Sequence, residues 1–389
     1  MSFTQKIKSF FSHFKEALSG SEQSFTTGSI NKAIFLLAVP MIVEMGMESI
    51  FAIVDIFYVS LLNDEHAVAA IGYTESVLSI LYSLAMGLGM GATAIVARRV
   101  GENDKLGASI SAVQAIYLAL IIAFVISVIG IFYYKDILRL MGASQAVIDS
   151  SSSYALWMFA GNYTVTLLFL INAVFRGAGN AAIAMKALLL SNTLNIILDP
   201  LFIFGLGPVP AMGVEGAAIA TNIGRGIGVL FQLYCLFNAK SIIQIGWKQM
   251  AMKAKIIFQV IKISVGSILQ FIIGSASWIF LMKLMSNFGD EAVAGYTIAI
   301  RVFIFTLLPS WGLANAGATL VGQNLGAQQP ERAEQSVWRA AYYNAFFMGF
   351  VMILFLTLSP FIIDIFTDKQ EVLFYGAQAL RYVSLGYIF

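Results

Sequence analysis

The stretch AIFLLAVPMIVEMGMESIFAIVDIFYVSL, residues 33–61, decides how this chain folds. It is long enough to cross roughly 30 Å of hydrocarbon at about 1.5 Å per residue. Only Glu44, Glu48 and Asp55 interrupt it with charge. Its apolar residues run in blocks instead of alternating at every second position, so it reads as a membrane helix and not as a barrel strand. Nine further apolar segments follow, at about 67–96, 110–134, 153–175, 183–206, 215–238, 257–284, 292–322, 338–360 and 374–389. Polar turns such as Gly101-Glu102-Asn103-Asp104 and Arg176-Gly177-Ala178-Gly179-Asn180 separate most of them. The pattern predicts an all-α integral membrane protein with ten spans.

Composition agrees. Of 389 residues, 59% are hydrophobic and 11% are charged, against roughly 25% charged in soluble domains. A net charge of +2 without a basic stripe argues against a nucleic-acid partner. Cys235 is the single cysteine, and His13 and His66 are the only histidines, so no disulfide and no ordinary His/Cys metal site can be assembled. No nucleophile triad or phosphate loop lies in the spans, which argues against an enzyme and against a bound cofactor. Residues 1–32 form an N-terminal segment with Lys6, Lys8 and Lys15 among Phe3, Phe10, Phe11 and Phe14; an amphipathic surface helix and a solvated tail both fit it. With the N-terminus inside, sixteen lysines and arginines fall on inner stretches, against Lys135, Arg139, Lys283 and Lys369 outside. That bias predicts a multi-pass protein with a cytoplasmic N-terminus.

The sequence also repeats. Shifted by 225 residues, Ala67-Val68-Ala69 falls on Ala292-Val293-Ala294 and Gly87-Leu88 on Gly312-Leu313. Val96 meets Val321, Gly101 meets Gly326, Ala108 meets Ala333, Val147 meets Val372 and Gly161 meets Gly386. Chance matching in a sequence rich in Ala, Gly and Val is the competing explanation. A period of six spans gives both copies the same topology, related by an axis along the membrane normal, with a cavity between them. The expected units are an N-lobe at 33–238, a cytoplasmic linker at 239–256 and a C-lobe at 257–389. One period on from 238, a complete second copy ends near residue 463, so this reading makes the second lobe incomplete, with about ten of twelve helices.

Acids inside apolar spans cost about 2.5–3.5 kcal/mol each on insertion scales, so each needs a reason. Glu44, Glu48 and Asp55 fall within about 40° on one helical face. Asn195 and Asp199 share a face of the fifth span, and Glu75 sits early in the second. Carboxylates stacked in a low-dielectric site cannot all ionise cheaply. Such a group can exchange a proton or hold a monovalent cation; the alternative is that each acid only locks a neighbouring helix. Asp55 and Asp199 are the stronger coupling candidates, with Glu44, Glu48 and Glu75 secondary. Arg225 and Arg301 are expected as partners of these acids or near span ends. Pro40 removes a backbone hydrogen bond and is expected to bend the first helix. Met45, Met47, Met86, Met90, Phe159 and Tyr163 can supply an adaptable cavity wall, or face lipid or core.

These residues resemble the MATE (multidrug and toxic compound extrusion) family. The resemblance is carried by Pro40 with Val54-Asp55-Ile56, by Gly91 to Gly101 with Asp104, and by Phe175-Arg176-Gly177-Ala178-Gly179. Asn195-Ile196-Ile197-Leu198-Asp199-Pro200-Leu201, Gly213-Val214-Glu215-Gly216 running to Thr221, and Val321-Gly322-Gln323-Asn324-Leu325-Gly326 complete it. The family implies two six-helix lobes in a V-shaped bundle, alternating access, and H⁺- or Na⁺-driven antiport of organic, often cationic or amphipathic compounds across a bacterial cytoplasmic (inner) membrane. The lipid bilayer and small organic substrates are then the partners of a monomer. The nearest branch is the DinF-like one, whose cation site matches Asp55, Asn195, Asp199 and Thr221, with Asn172 a looser match and Na⁺ the only metal expected, at Asp55 and Asp199. Other branches place a glutamate in the seventh span, where this chain has Gln270 and no acid. A flippase for a lipid-linked precursor, which favours a cavity lined by several arginines or lysines, and a non-transporting remnant are the alternatives.

Overall fold

The computed structural model describes residues 3–20, 24–62, 64–238 and 242–388. Lys240 of the expected linker and Phe389 lie outside them, as do the side chains of residues 3–10. The described residues form twelve α-helices and no strand. In order these are α1 (Phe3–Ser19), α2 (Ile30–Ser60), α3 (Glu65–Gly101), α4 (Lys105–Leu140), α5 (Gln145–Ala160), α6 (Asn162–Gly177), α7 (Ala181–Phe204), α8 (Val214–Phe237), α9 (Ala254–Met285), α10 (Asp290–Gly326), α11 (Pro330–Asp364) and α12 (Gln370–Leu385). Helices satisfy every backbone group within the segment, which a bilayer demands. Their starts are capped by the polar turns: Ser29, Asp64, Asp104, Ser144 and Asn180 each accept a hydrogen bond from the first turn that follows.

Seven helices are long and apolar enough to cross a membrane, and α5 with α6 adds an eighth. That pair corrects the expectation of one straight span over 153–175, because the chain bends by 41° at Gly161. A side chain on Gly161 would run into Asn222, whose Nδ2 donates to the Trp157 carbonyl at 2.8 Å and so braces the break. The remaining two expected spans fold as α8 and α12 but fall short in length or hydropathy. Helix α2 continues through Pro40 without interruption.

The N-terminal segment folds as a helix docked on the bundle. Glu16 pairs with Lys32 at 2.9 Å, and Lys186 donates to the Ser19 carbonyl at 2.7 Å. Buried Phe25 donates its N–H to Gln323 Oε1 at 2.9 Å, and Arg332 donates to the carbonyls of Phe25 and Gly28. The described part of the linker lies along α4, where Tyr117 donates to the Met250 carbonyl and Gln114 bonds Ala251 and Lys253.

The repeat is visible in backbone geometry, which removes chance as its explanation. Asn103 and Gln328, 225 residues apart, are the two described non-glycine residues with positive φ, at 60° and 58°. Each sits in the turn after a matching glycine, and the same backbone bond closes both turns, from Asp104 N to Arg99 O and from Gln329 N to Asn324 O. The two copies cross along α3 and α10. There a side chain on Gly101 would strike the Gln323 carbonyl and one on Gly326 the Arg98 carbonyl. At the centre of the crossing, a Cβ on Gly322 would sit 2.6 Å from that of Ala97. Residues 97 and 322, 98 and 323, and 101 and 326 are each one period apart, so the contacts exchange under a two-fold operation. Helix α9 packs on α3 as α2 packs on α10, with Gly87 against Ile268 and Gly312 against Ile42. Small residues let the backbones approach this closely.

Helix α6 is the core of the first copy, with Leu168, Ile171, Val174 and Phe175 fully buried between α3, α4 and α8. One period on, α10 and α11 present a groove of about 620 Å³ whose lining includes Ala314, Ala318, Val337 and Ala340. These are the counterparts of Gly89, Thr93, Ala112 and Ala115 of the first copy.

Replacing Gly101 or Gly326 by leucine should lower the thermal unfolding temperature of the detergent-purified chain, at a cost of roughly 1–3 kcal/mol for overpacking a closed contact. Gly349→Leu, where nothing lies within 4 Å of the added Cβ, should leave it nearly unchanged. Equal effects at all three glycines would show that the crossing is not a close-packed constraint.

Candidate functional site

Helix α2 turns its acidic face into the first copy, toward α6, α7 and α8. The three acids on that face meet different chemistry. Glu44 is fully buried; its Oε1 accepts from Arg176 Nη1 at 2.9 Å and from Asn172 Nδ2 at 3.0 Å. Asn172 in turn accepts from Gln232 at 2.6 Å, which ties α2, α6 and α8 together. One turn further, Glu48 accepts from Arg225 Nη2 and from Asn192 Nδ2, both at 2.9 Å. Arg225 lies over the rings of Phe51 and Phe169, at 5.1 and 5.6 Å from their centroids, so its charge is held by one carboxylate and two aromatic faces.

Asp55 forms no ion pair among the described residues, although Arg225 is near enough to act on it electrostatically. It is 6% exposed, and its Oδ1 has no hydrogen-bond partner. On α7, Asp199 is fully buried and accepts from Asn195 Nδ2 at 3.1 Å, leaving Oδ2 unpartnered. The same Asn195 amide donates to Thr221 Oγ1 on α8 at 3.1 Å, and its own Oδ1 is unpartnered. Three buried oxygens without donors, one each on Asp55, Asn195 and Asp199, are therefore supplied by α2 and α7. Buried acceptors of this kind are costly unless filled. A proton on either carboxylate, or a small oxygen-seeking cation such as Na⁺, suits this donor set. No group of three His, Cys, Asp or Glu side chains able to hold a metal occurs among the described residues.

Of the residues singled out from the sequence, Asp199, Asn195 and Thr221 form one bonded group. Asn172, expected with them, belongs instead to the Glu44 network, because α6 carries it opposite Glu44. Glu75 is exposed on α3 and makes no hydrogen bond or ion pair among the described residues. Arg225 is an acid's partner, as expected; Arg301 is exposed on α10, where it acts electrostatically on Glu75 without forming an ion pair among the described residues. The sequence reading placed Arg176 in an inner loop and passed over Asn192 and Gln232. All three lie on helices, Arg176 and Asn192 facing α2 and Gln232 facing Asn172 on α6, and the signal that finds them is polar character within an apolar helix.

Between the two copies lies a cavity of about 500 Å³, within the range of sites for drug-sized molecules. Its first wall comes from α2, α3 and α6, with Met45, Met86, Met90, Thr93, Phe169 and Arg176. Opposite stand Gln270, Phe271, Ser275, Trp278, Trp311 and Asn315 from α9 and α10. Phe271 and Trp311 meet edge to face at 6.5 Å. Three of the expected methionines are there, whereas Phe159 is buried in the first copy and Tyr163 is exposed away from the cavity.

A family model described as MatE matches residues 40–201 and 263–389. The probable multidrug resistance protein YoeA of Bacillus subtilis is 24% identical over 92% of this chain and 78% of its own length. An FAD transporter of Shewanella oneidensis is 25% identical over 88% of this chain and 76% of its own length. A crystal structure of MATE in complex with MaD3S superposes with a TM-score of 0.86 and 28% identity, covering 93% of this chain and 80% of that one. With the matched segments taking in both copies of the repeat and the inter-copy cavity between them, the chain belongs to the MATE family of multidrug-export membrane transporters.

Proposed function

We propose that this chain is a cation-coupled antiporter that exports small amphipathic organic compounds across the bacterial cytoplasmic membrane by alternating access, as a monomer with its N-terminus in the cytoplasm. The observation that carries the reading is the division among the buried acids. Glu44 and Glu48 are ion-paired with Arg176 and Arg225, Glu44 keeping Oε2 without a donor, whereas Asp55 and Asp199 form no ion pair among the described residues and each keeps an unpartnered oxygen, that of Asp199 beside Asn195. The paired acids hold helices together; the unpaired ones have capacity left for H⁺ or Na⁺. Its location supports the same reading. Helix α2 carries Asp55, contributes Met45 to the cavity wall and packs on α10 at Ile42. Filling the site relieves repulsion between α2 and α7, and a shift of α2 changes both the cavity and its contact with the second copy. The gradient then drives the coupling ion inward as substrate leaves. A flippase for a lipid-linked precursor calls for several cationic groups in the cavity, and the described lining holds one, already paired.

Asp55→Asn and Asp199→Asn should each reduce export of ethidium and fluorescein from cells to the level of vector controls, with membrane insertion retained. Wild-type efflux in both variants would sink the assignment of the coupling site.

The paired acids should behave differently. Glu48→Ala strands Arg225 in the core and should cost about 3–5 kcal/mol, the usual penalty for breaking a buried pair from one side. Thermal unfolding in detergent measures this, and Glu48→Met with Arg225→Met should recover most of the loss. A single variant as stable as wild type would mean that the pair does not lock α2 to α8.

A further inference from the structure

We infer that the inter-copy cavity selects aromatic anions, planar ring systems bearing a carboxylate, sulfonate or phosphate, with Arg176 as the anion contact. The inference rests on the exporter reading for the cavity's role and goes beyond it in naming the substrate class. Among the described lining residues Arg176 is the sole ionisable group; no aspartate or glutamate faces the space. An organic cation would therefore meet a guanidinium and find no carboxylate.

The geometry of the pair sets the sign of the field. Glu44 is fully buried behind the wall, while the Arg176 side chain keeps 13% of its surface exposed. The cavity thus faces the positive end of the ion pair. Only Arg176 Nη1 bonds Glu44, so the guanidinium fork has a further edge to offer an incoming oxyanion. Behind Phe169, which lines the same wall, the buried Arg225 is neutralised by Glu48 through Nη2 and keeps Nε and Nη1 without a partner.

The opposite wall suits a ring system. Phe271, Trp278 and Trp311 supply aromatic faces and edges, and Gln270 and Asn315 supply amide N–H donors. A molecule spanning the space places its rings against the second copy and its anionic group on the first. Cation–π attraction from those rings is the one favourable term left for an organic cation, and it acts at a distance from Arg176.

The test compares fluorescein with rhodamine 6G, which share a xanthene ring system and differ in charge, by fluorescence anisotropy on the purified full chain in lipid nanodiscs. Fluorescein should bind about tenfold more tightly, the size of one charge-assisted hydrogen bond. Glu44→Gln, which removes the competing carboxylate, should strengthen fluorescein binding. The double variant Glu44→Gln with Arg176→Gln keeps a neutral amide pair in the wall and should erase the preference. Trp311→Ala should weaken both dyes alike. Rhodamine 6G binding as tightly as fluorescein, no fluorescein binding, or a preference that survives the double variant would overturn the inference. The measurement is made at equilibrium without a gradient, so it stands apart from coupling. Asp55-dependent export of rhodamine 6G without fluorescein binding would leave the exporter reading intact and remove this one. A fluorescein preference with no export of either dye would do the reverse.

Discussion

Two backbones cross where no side chain fits. Gly101 lies against the Gln323 carbonyl and Gly326 against the Arg98 carbonyl. The contact is self-complementary, since the partners exchange under a shift of one period. Moving α3 on α10 disturbs both halves of the crossing together. Flanking it, α2 on α10 and α9 on α3 extend the seam to Gly312 and Gly87. The cavity opens beside the seam, where nothing lies within 4 Å of a Cβ added to Gly274 and Met45, Trp278 and Trp311 line the space. A closed seam and an open cavity between the same helices are consequences of one packing choice.

Helix α2 joins this mechanical frame to the chemistry. Its buried face presents three acids in sequence to α6, α7 and α8, and each is handled differently by what those helices offer. Arg176 and Arg225 meet the first two, so the energetic penalty of burying them is met by ion pairs with several hydrogen bonds each. Asp55 forms no ion pair among the described residues and lies in the half of the helix away from the seam. A change in its occupancy can therefore act on α2 without breaking the bonds that fix its other half.

Much of this was legible in the sequence. Span positions, the 225-residue period, the shared face of Glu44, Glu48 and Asp55, and the pairing of Asn195 with Asp199 all follow from helical spacing and apolar block length. What stayed hidden depends on tertiary partners. Asn172 lies one helix away from the group it was expected to join, and no spacing within α6 reveals which acid it faces. Arg176 reads as a loop cation because Gly177 and Gly179 follow it, yet the helix continues to Gly177 and the side chain reaches Glu44. The bend at Gly161 is equally local in cause and invisible in hydropathy, being braced by Asn222 from α8.

Duplication gave the two copies the same backbone, and the side chains then divided the work. One period on from Glu44, Glu48 and Asp55, α9 carries Leu269, Ile273 and Phe280. At the cavity the exchange runs the other way: Met45, Met86 and Met90 of the first copy correspond to Gln270, Trp311 and Asn315 of the second. The buried aspartates with unpartnered oxygens, Asp55 and Asp199, thus lie in the first copy, as do the methionines of the cavity wall. The second copy's wall has rigid rings and amides and, in α9, no acid to titrate. On the coupling proposed above, a signal that begins at Asp55 and Asp199 has to move α2 and Met45 against the wall formed by the second copy.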